Sequence, residues 1–405
     1  MDIDKILELR EDSFYLYYED KLVKNFNTFL NSFKEFYSNV EIAYSYKTNY
    51  LPNLCKKIFH LGGIAEVVSE MELDLALKLA DNNRIIYNGP YKSEQSLIKS
   101  IENNVIIHID NYDEFISVLN ILKNDKSKKC KIGLRINLSY SIDQVSRFGI
   151  DINDKDFKKI LKIIQSNDQF HLVGIHCHLP NRNLESFKFR IEKMLEIYEN
   201  HFFDKIEYID IGGGFPSKLS KTLAKQLNLK IDNQIDYAKV VGETLNDFFN
   251  EKKIVKPKLI VEPGTAIVAN TMDFFTKIIA EKKVGKKSIL MVSGSKFNYV
   301  GLQTKHLNFP YKEYFIDRTS EKKIRKCDLG GYTCIESDYI LKNIKTSLKK
   351  GDYISIEDIG SYSIVMKPPF ILPNVPIFQI VDDTAKCIKR REDTDDIFNT
   401  YLTYE

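Results

Sequence analysis

At 405 residues the chain is longer than one hydrophobic core ordinarily fills, so a large domain with a smaller companion is expected. Lysine and arginine total 59 against 56 aspartates and glutamates, a balance that argues against nucleic acid or an anionic membrane as partner. The charged opening Met1-Asp2-Ile3-Asp4-Lys5 lacks the apolar segment of a signal peptide or membrane helix, and Cys55, Cys130, Cys177, Cys327, Cys334 and Cys387 show neither metal-site pairing nor a secreted framework, so a cytoplasmic protein with free thiols is expected.

Residues 1–32 alternate charged and aromatic residues around Phe14-Tyr15-Leu16-Tyr17-Tyr18, which reads as a strand outside any repeat, with its partner elsewhere in the chain. From Phe33 a rhythm begins. Short β-branched runs at Glu41–Tyr46, Ile64–Val68, Arg84–Tyr87, Val105–Ile109, Lys131–Ile136, Leu172–Cys177, Ile206–Ile211 and Lys258–Val261 alternate with stretches of helical period, among them Met71–Leu79, Tyr112–Leu122, Leu184–Tyr198 and Tyr237–Phe249. Eight such repeats predict a (β/α)8 barrel over residues 33–280; a doubly wound sheet is the alternative. The barrel is preferred because nearly every predicted strand ends in a chemically capable group: Lys47, Glu66, Asn88, Asp110, Arg135, His176, Asp210 and Glu262. In a barrel those ends converge on one mouth, whereas a doubly wound sheet gathers its ligands at one switch point. Residues 281–405 change to short strands and turns, including Ser288–Val292, Tyr353–Ile359, Ser363–Val365 and Pro376–Val381, and read as a separate β domain that the strand near Tyr15 could complete.

Three motifs carry chemistry. Lys47 follows a buried strand, and a desolvated amine there would be neutral and nucleophilic enough for Schiff-base formation. Gly212-Gly213-Gly214 directly after a strand suits a phosphate, because glycine lets the backbone approach an anion with its N–H groups; Gly264 makes a second such turn after the last strand. His176 and His178 fall on one face of a strand, which allows either a metal or ring stacking; with no convincing third ligand, no metal is expected.

In one order the chain carries Tyr46-Lys47-Thr48-Asn49, Glu66-Val67-Val68-Ser69, Asn88-Gly89-Pro90 with Lys92, Ser146-Arg147-Phe148-Gly149, Gly174-Ile175-His176-Cys177-His178, Gly212-Gly213-Gly214-Phe215-Pro216, Glu262-Pro263-Gly264, Cys334 with Asp338, and Gly360-Ser361-Tyr362. Together they resemble the fold-type III decarboxylases that use pyridoxal 5'-phosphate, the group of diaminopimelate, ornithine and carboxynorspermidine decarboxylases. The resemblance implies an alanine-racemase-like barrel followed by a β-sandwich or β-barrel domain, and a homodimer with shared active sites. It makes Lys47 the cofactor-linking lysine and His178 the ring that stacks on the cofactor. Glu262 pairs with the pyridine nitrogen, Gly212, Gly213, Gly214, Gly264 and Tyr362 hold phosphate, and Glu66 and Arg147 line the cofactor face. Cys334, from the second subunit, is the proton donor. Thr265, Glu336 and Asp338 are the candidate substrate contacts.

Departures cluster on the substrate side. Relatives follow the cysteine with an acid, where this chain has Ile335, with Glu336 one place later. Diaminopimelate decarboxylases carry arginine at the position of Thr265, and a second arginine is expected within Ser293–Asn308, where this chain offers Lys296, Lys305 and His306. Pro180-Asn181 replaces the usual glycine and serine after the stacking histidine. The expectation is a carboxy-lyase acting on an amino acid or amino-acid conjugate with an altered distal pocket. Alternatives are diaminopimelate or carboxynorspermidine decarboxylase proper, a racemase, disfavoured because racemases of this fold carry arginine where Glu262 stands, and a non-catalytic relative.

Overall fold

Eight short parallel strands close on themselves: β1 (Val40–Ser45), β2 (Ile64–Val67), β3 (Ile85–Tyr87), β4 (Ile106–Ile109), β5 (Cys130–Arg135), β6 (Phe170–His176), β7 (Tyr208–Asp210) and β8 (Lys258–Val261). Each pairs with its sequence neighbour, and β1 closes on β8 with Val40 opposite Leu259 and Ile42 opposite Val261. The computed structural model describes residues 3–140, 145–217, 221–227, 232–300, 306–317, 324–382 and 384–402. Its contacts divide the chain into a barrel unit, 23–218 with 232–267, and a second unit, 1–22 with 219–231 and 268–405.

The helices between the strands start where the sequence supplies a cap. Ser69, Ser93, Asn111, Asp154 and Asn183 each accept a hydrogen bond from a backbone N–H two or three residues on, satisfying a donor that the first helical turn leaves open. Inside the barrel, Ala43, Ile64, Ile86, Tyr208 and Ile260 form an apolar layer with Ile106 against it. Gly133 and Gly174 make room for it, since a Cβ would fall 2.5 Å from the His108 ring at the first and 2.2 Å from the Tyr208 ring at the second. Side chains on a strand repeat their direction every second residue. Two residues beyond each of these six layer residues lie Ser45, Glu66, Asn88, Asp210, Glu262 and His108, all buried, whereas two beyond Val173, the member of the layer on β6, lies the apolar Ile175. The barrel interior therefore turns from apolar to polar within one step along those six strands, at their carboxyl ends.

The strand near Tyr15 runs from Ser13 to Tyr17 and is followed by a helix, Glu19–Phe36, where the sequence predicts only a strand segment through residue 32. Its buried Leu22, Phe26, Phe29 and Phe33 recur at helical spacing, and Phe29 and Phe33 pack on Phe215 with centroids 5.1 and 5.6 Å away. Aromatic residues raise strand propensity, but the period of burial decides. In the second unit, Ser13–Tyr17 pairs antiparallel with Met272–Val284 (Tyr15 opposite Phe274) and parallel with Ile377–Val381 (Tyr15 opposite Ile377). Phe14 stacks on Phe275 at 4.8 Å over a core shared with Leu16, Tyr314 and Tyr353. The expected strand at Ser363–Val365 is instead a run of bends and turns, its serine hydroxyl bonded to the carbonyls of Tyr299 and Ile359. The strand Thr384–Lys389, unforeseen in the sequence, extends the sheet beside Ile377–Val381. The protein is thus a (β/α)8 barrel with a separate, mostly antiparallel β unit. Among the described residues no helix is long and apolar enough to cross a membrane.

Candidate active site

Lys47 lies in a single 3₁₀ turn, Tyr46–Thr48, immediately after β1. Its Nζ lies 2.7 Å from Oε2 of Glu66 on the adjacent strand β2 and 3.4 Å from Oγ of Ser45. The amine expected to be desolvated is instead ion-paired, with 37% of its side chain exposed while Glu66 is buried. Strand β2 delivers Glu66 from beneath; the turn lifts Lys47 to the mouth.

From Glu66 a chain of polar contacts crosses the mouth. Asn88, after β3, donates through Nδ2 to Oε1 of Glu66 at 3.0 Å and to Oε1 of Glu262, after β8, at 2.6 Å. Nε2 of His176 lies 3.5 Å from the same Glu262 oxygen. Asp210, at the end of β7, is in hydrogen-bonding contact with Glu262 and accepts the Gly212 N–H at 2.8 Å. Burial pushes both carboxyls upward from their ordinary values, but at Glu262 the charges of Lys47 and Arg135 and the Asn88 donor oppose the rise. Burial, with Arg135 next, pushes His176 well below the usual imidazole value, so it is neutral.

The glycine turn after β7 has steric causes at each residue. A Cβ on Gly212, whose φ is +68°, would meet the Cys177 carbonyl at 2.4 Å, and one on Gly213 would meet the Glu262 carbonyl at 2.4 Å. Gly214 also has positive φ, +98°, but the space beside it is open, with the Arg190 guanidinium nearest at 3.6 Å. Gly213 donates its N–H to Nδ1 of His178 at 3.1 Å, which leaves the imidazole proton on Nε2. Burial, then the Arg190 charge, pushes His178 well below its usual value. Arg190, fully buried on helix Leu184–Ile197, binds the carbonyls of Leu179, Asn181, Ile211 and Gly213, so one guanidinium ties the loop after β6 to the glycine turn. Its position within an ordinary helical run hid it from sequence reasoning. Gly264 is required by packing, since its Cβ would lie 2.1 Å from Oγ1 of Thr48. Thr265 follows as the first residue of the short turn Thr265–Val268.

His176 and His178 do not share a site, because β6 ends at His176: the first faces His108 inside the barrel, ring centroids 5.0 Å apart, and the second turns to the glycine loop. Arg147 is exposed and lies over Phe148 at 4.0 Å. The buried guanidinium at the strand ends is that of Arg135, paired with Asp110 at 2.9 Å and 4.5 Å from the same phenyl ring. Lys92 is buried and committed to Glu114 at 2.9 Å and to the carbonyls of Gly89 and His108, a structural role.

In the second unit Cys334, Ile335 and Glu336 are exposed on a loop, and Asp338 is buried. The Asp338 carboxylate accepts from Ser295 Oγ and Lys296 N, each at 3.0 Å, and from Thr333 N and Oγ1 at 3.2 and 2.7 Å. Its acceptor sites are spent on holding the cysteine loop, so it is not an open substrate contact. Lys296 caps the same loop through Ser337, and His306 bonds Asn308; Lys305 lies outside the described residues. Tyr362 sits in a turn with φ +59°.

Residues 19–269 match the family model for the pyridoxal binding domain of the pyridoxal-dependent decarboxylases. A diaminopimelate decarboxylase of Aquifex aeolicus is 26% identical over 96% of this chain and 91% of its own length. The solved diaminopimelate decarboxylase of Methanocaldococcus jannaschii superposes with a TM-score of 0.84 at 21% identity, covering 96% of this chain and 92% of that one. That of Helicobacter pylori, complexed with L-lysine, gives 0.82 at 22% identity over 98% and 99%. Pyridoxal phosphate asks for an amine, a buried carboxylate and an anion cradle on one face. The barrel has Lys47, Glu262, and the open Gly214 backbone above the Arg190 charge, so its donor set fits. By its matched barrel domain and its fold, this chain belongs to the pyridoxal-dependent decarboxylases of fold type III and is a pyridoxal phosphate-dependent carboxy-lyase.

Proposed function

We propose that the enzyme removes the α-carboxylate of an amino acid or amino-acid conjugate whose distal end differs from that of diaminopimelate, and that it works as a cytoplasmic homodimer. The observation that carries the decarboxylase reading is Glu262, a buried carboxylate held by Asn88 and flanked by the Lys47 and Arg135 charges. When bound, the cofactor supplies a sink for the electron pair left at the substrate Cα as CO2 departs. The chain's residues do the rest. Lys47 would hold the cofactor by its amine, with Glu66 as the counter-ion to accept or return the amine proton. Glu262 holds a proton on the pyridine nitrogen. His178, kept neutral and oriented by Gly213, would be the ring that stacks on the cofactor. Gly212, Gly213, Gly214 and Gly264 would hold the phosphate near the Arg190 charge, the family resemblance adds Tyr362 to that set, and Arg135 would take the place expected of Arg147 beside the cofactor. The Cys334 thiol of the second subunit, on the loop that Asp338 holds, returns a proton to Cα.

The distal pocket sets the substrate. Thr265 offers a hydroxyl where a carboxylate clamp would need a guanidinium, Ile335 offers no charge to a distal amine, and Lys296 is bound to Ser337. Glu336 is exposed on the same loop and free to meet a longer or differently charged end. The second reading is diaminopimelate decarboxylation itself, favoured by the likeness over nearly the whole chain to a diaminopimelate decarboxylase. CO2 release from a panel of diaminopimelate, lysine, ornithine, arginine and acylated or carboxylated conjugates separates the two. The proposal expects a substrate whose kcat/KM exceeds that of diaminopimelate about tenfold or more, a gap of about 1.4 kcal/mol in transition-state binding, with no release by Lys47→Ala. Diaminopimelate as the best substrate establishes the second reading.

A further inference from the structure

The carboxyl pair at the centre of the mouth poses a question of charge. Asp210 and Glu262 are both buried and in hydrogen-bonding contact. Oδ1 of Asp210 accepts the Gly212 N–H, whereas Oδ2 is fully buried without a donor among the described residues. Two ionised carboxylates in contact, shielded from water, repel one another strongly, and a single shared proton removes the repulsion while turning an unsatisfied oxygen into a donor.

We infer that Asp210 is a neutral acid whose Oδ2 proton is donated to Glu262, making Asp210 a positioning residue that keeps the one negative charge of the pair on Glu262. This rests on the reading of Glu262 as the cofactor's partner. The surroundings decide which carboxyl keeps the proton. Glu262 receives Asn88 Nδ2 at 2.6 Å, has neutral His176 at 3.5 Å, and lies in the field of the Lys47 and Arg135 cations, with Glu66 beyond Asn88. Asp210 has a single backbone donor and the like charges of Glu262 and Glu66 against it. Most of the stabilisation for a carboxylate is thus on the Glu262 side of the pair, against one backbone donor on the other.

A cation is the competing explanation for the same corner. Ligand atoms of His108, His176 and Asp210 lie within 4.8 Å of one another. But Nε2 of His108 is bonded to the Tyr208 hydroxyl at 2.6 Å, and the positive charges of Lys92 and Arg135 bear on both imidazoles, which opposes a further cation. A proton meets the need of Asp210 without adding a charge.

The test uses the neutral isostere. In Asp210→Asn the carbonyl oxygen can still accept from Gly212 and the amide can donate to Glu262, so the variant reproduces the protonated acid. It should keep cofactor affinity and kcat within about threefold of wild type, while Asp210→Ala loses about tenfold or more in cofactor affinity. The infrared difference spectrum of cofactor-free protein, wild type minus Asp210→Asn, should show a protonated carboxyl band that persists between about pH 6 and 8. Absence of the band, a loss in Asp210→Asn as large as that in Asp210→Ala, or stoichiometric metal in wild type that Asp210→Asn lacks would overturn the inference. If Asp210→Ala fails to fold, the isostere and the infrared band decide. A band present together with a fully active Glu262→Gln would uphold the proton on Asp210 while removing the cofactor role of Glu262.

Discussion

Asn88 donates to Glu262 at 2.6 Å, and the same amide nitrogen reaches Glu66 at 3.0 Å, so one neutral side chain holds apart two buried carboxylates that would otherwise face each other. Removing it in Asn88→Ala strips a donor from both, and each buried acceptor left without a partner costs about 1–3 kcal/mol. Asn88→Asp adds a third carboxylate and should be worse than alanine. Urea unfolding of the two variants checks the order; an aspartate variant as stable as wild type contradicts it.

Glu72 is one group through which pH should act on stability. It accepts the Val68 N–H at 2.9 Å, and burial raises its carboxyl to about 7 from an ordinary 4.5. A raised folded value means the folded state holds the proton more tightly. The contribution of Glu72 is therefore fully present below about pH 4.5 and is lost as pH rises through about 7, a swing of up to about 3 kcal/mol. Glu72→Gln lacks this slope, so its stability relative to wild type should improve from pH 5 to pH 8. A constant difference across that range would remove Glu72 as the cause.

Gly264 and Thr48 are coupled by contact. Alanine at 264 would place its Cβ 2.1 Å from the Thr48 hydroxyl, and the adjoining backbone carries Glu262 and Thr265. Overpacking of this kind costs about 1–3 kcal/mol. Adding Thr48→Ala should return part of it, giving a coupling of about 0.5 kcal/mol or more in a double-mutant cycle. Additive losses would show that the strain lies elsewhere.

The Asp338 loop predicts a change in thiol exposure. Asp338→Ala removes the acceptor for Ser295, Lys296 and Thr333 at once and should destabilise the β unit by about 1–3 kcal/mol. It should also quicken alkylation of Cys334 by iodoacetamide, measured by peptide mass spectrometry at a temperature where the variant remains folded. Thr333→Val, which removes the hydroxyl's bond to Asp338 and its acceptance of the Ile335 N–H but keeps the backbone bond to Asp338, should lie between. An unchanged alkylation rate in both variants separates Asp338 from the placement of the cysteine.

Arg190 should prove indispensable to the glycine turn. Arg190→Met preserves much of the volume but strips a donor from four carbonyls, of which that of Asn181 keeps the Ser186 hydroxyl. A loss of about 3 kcal/mol or more in unfolding free energy is expected, together with weakened cofactor binding. Wild-type cofactor affinity in the folded variant would remove its charge from the phosphate site.

The barrel was legible in the sequence because its information is local and periodic. All eight strands stand in the sequence as short β-branched runs between helical stretches, in the order in which they close the barrel. Lys47, Glu66, Asn88, Asp210 and Glu262 could be found as strand-end polar residues for the same reason: a barrel sends those ends to one place. Tertiary structure alone decided what each does there. Whether Arg135 or Arg147 is buried, whether Lys47 is desolvated or paired with Glu66, and whether Asp338 is open or spent on a loop depend on packing between segments far apart in the chain. Arg190 left no trace in the sequence, because its partners are backbone carbonyls, which every residue possesses and no motif records.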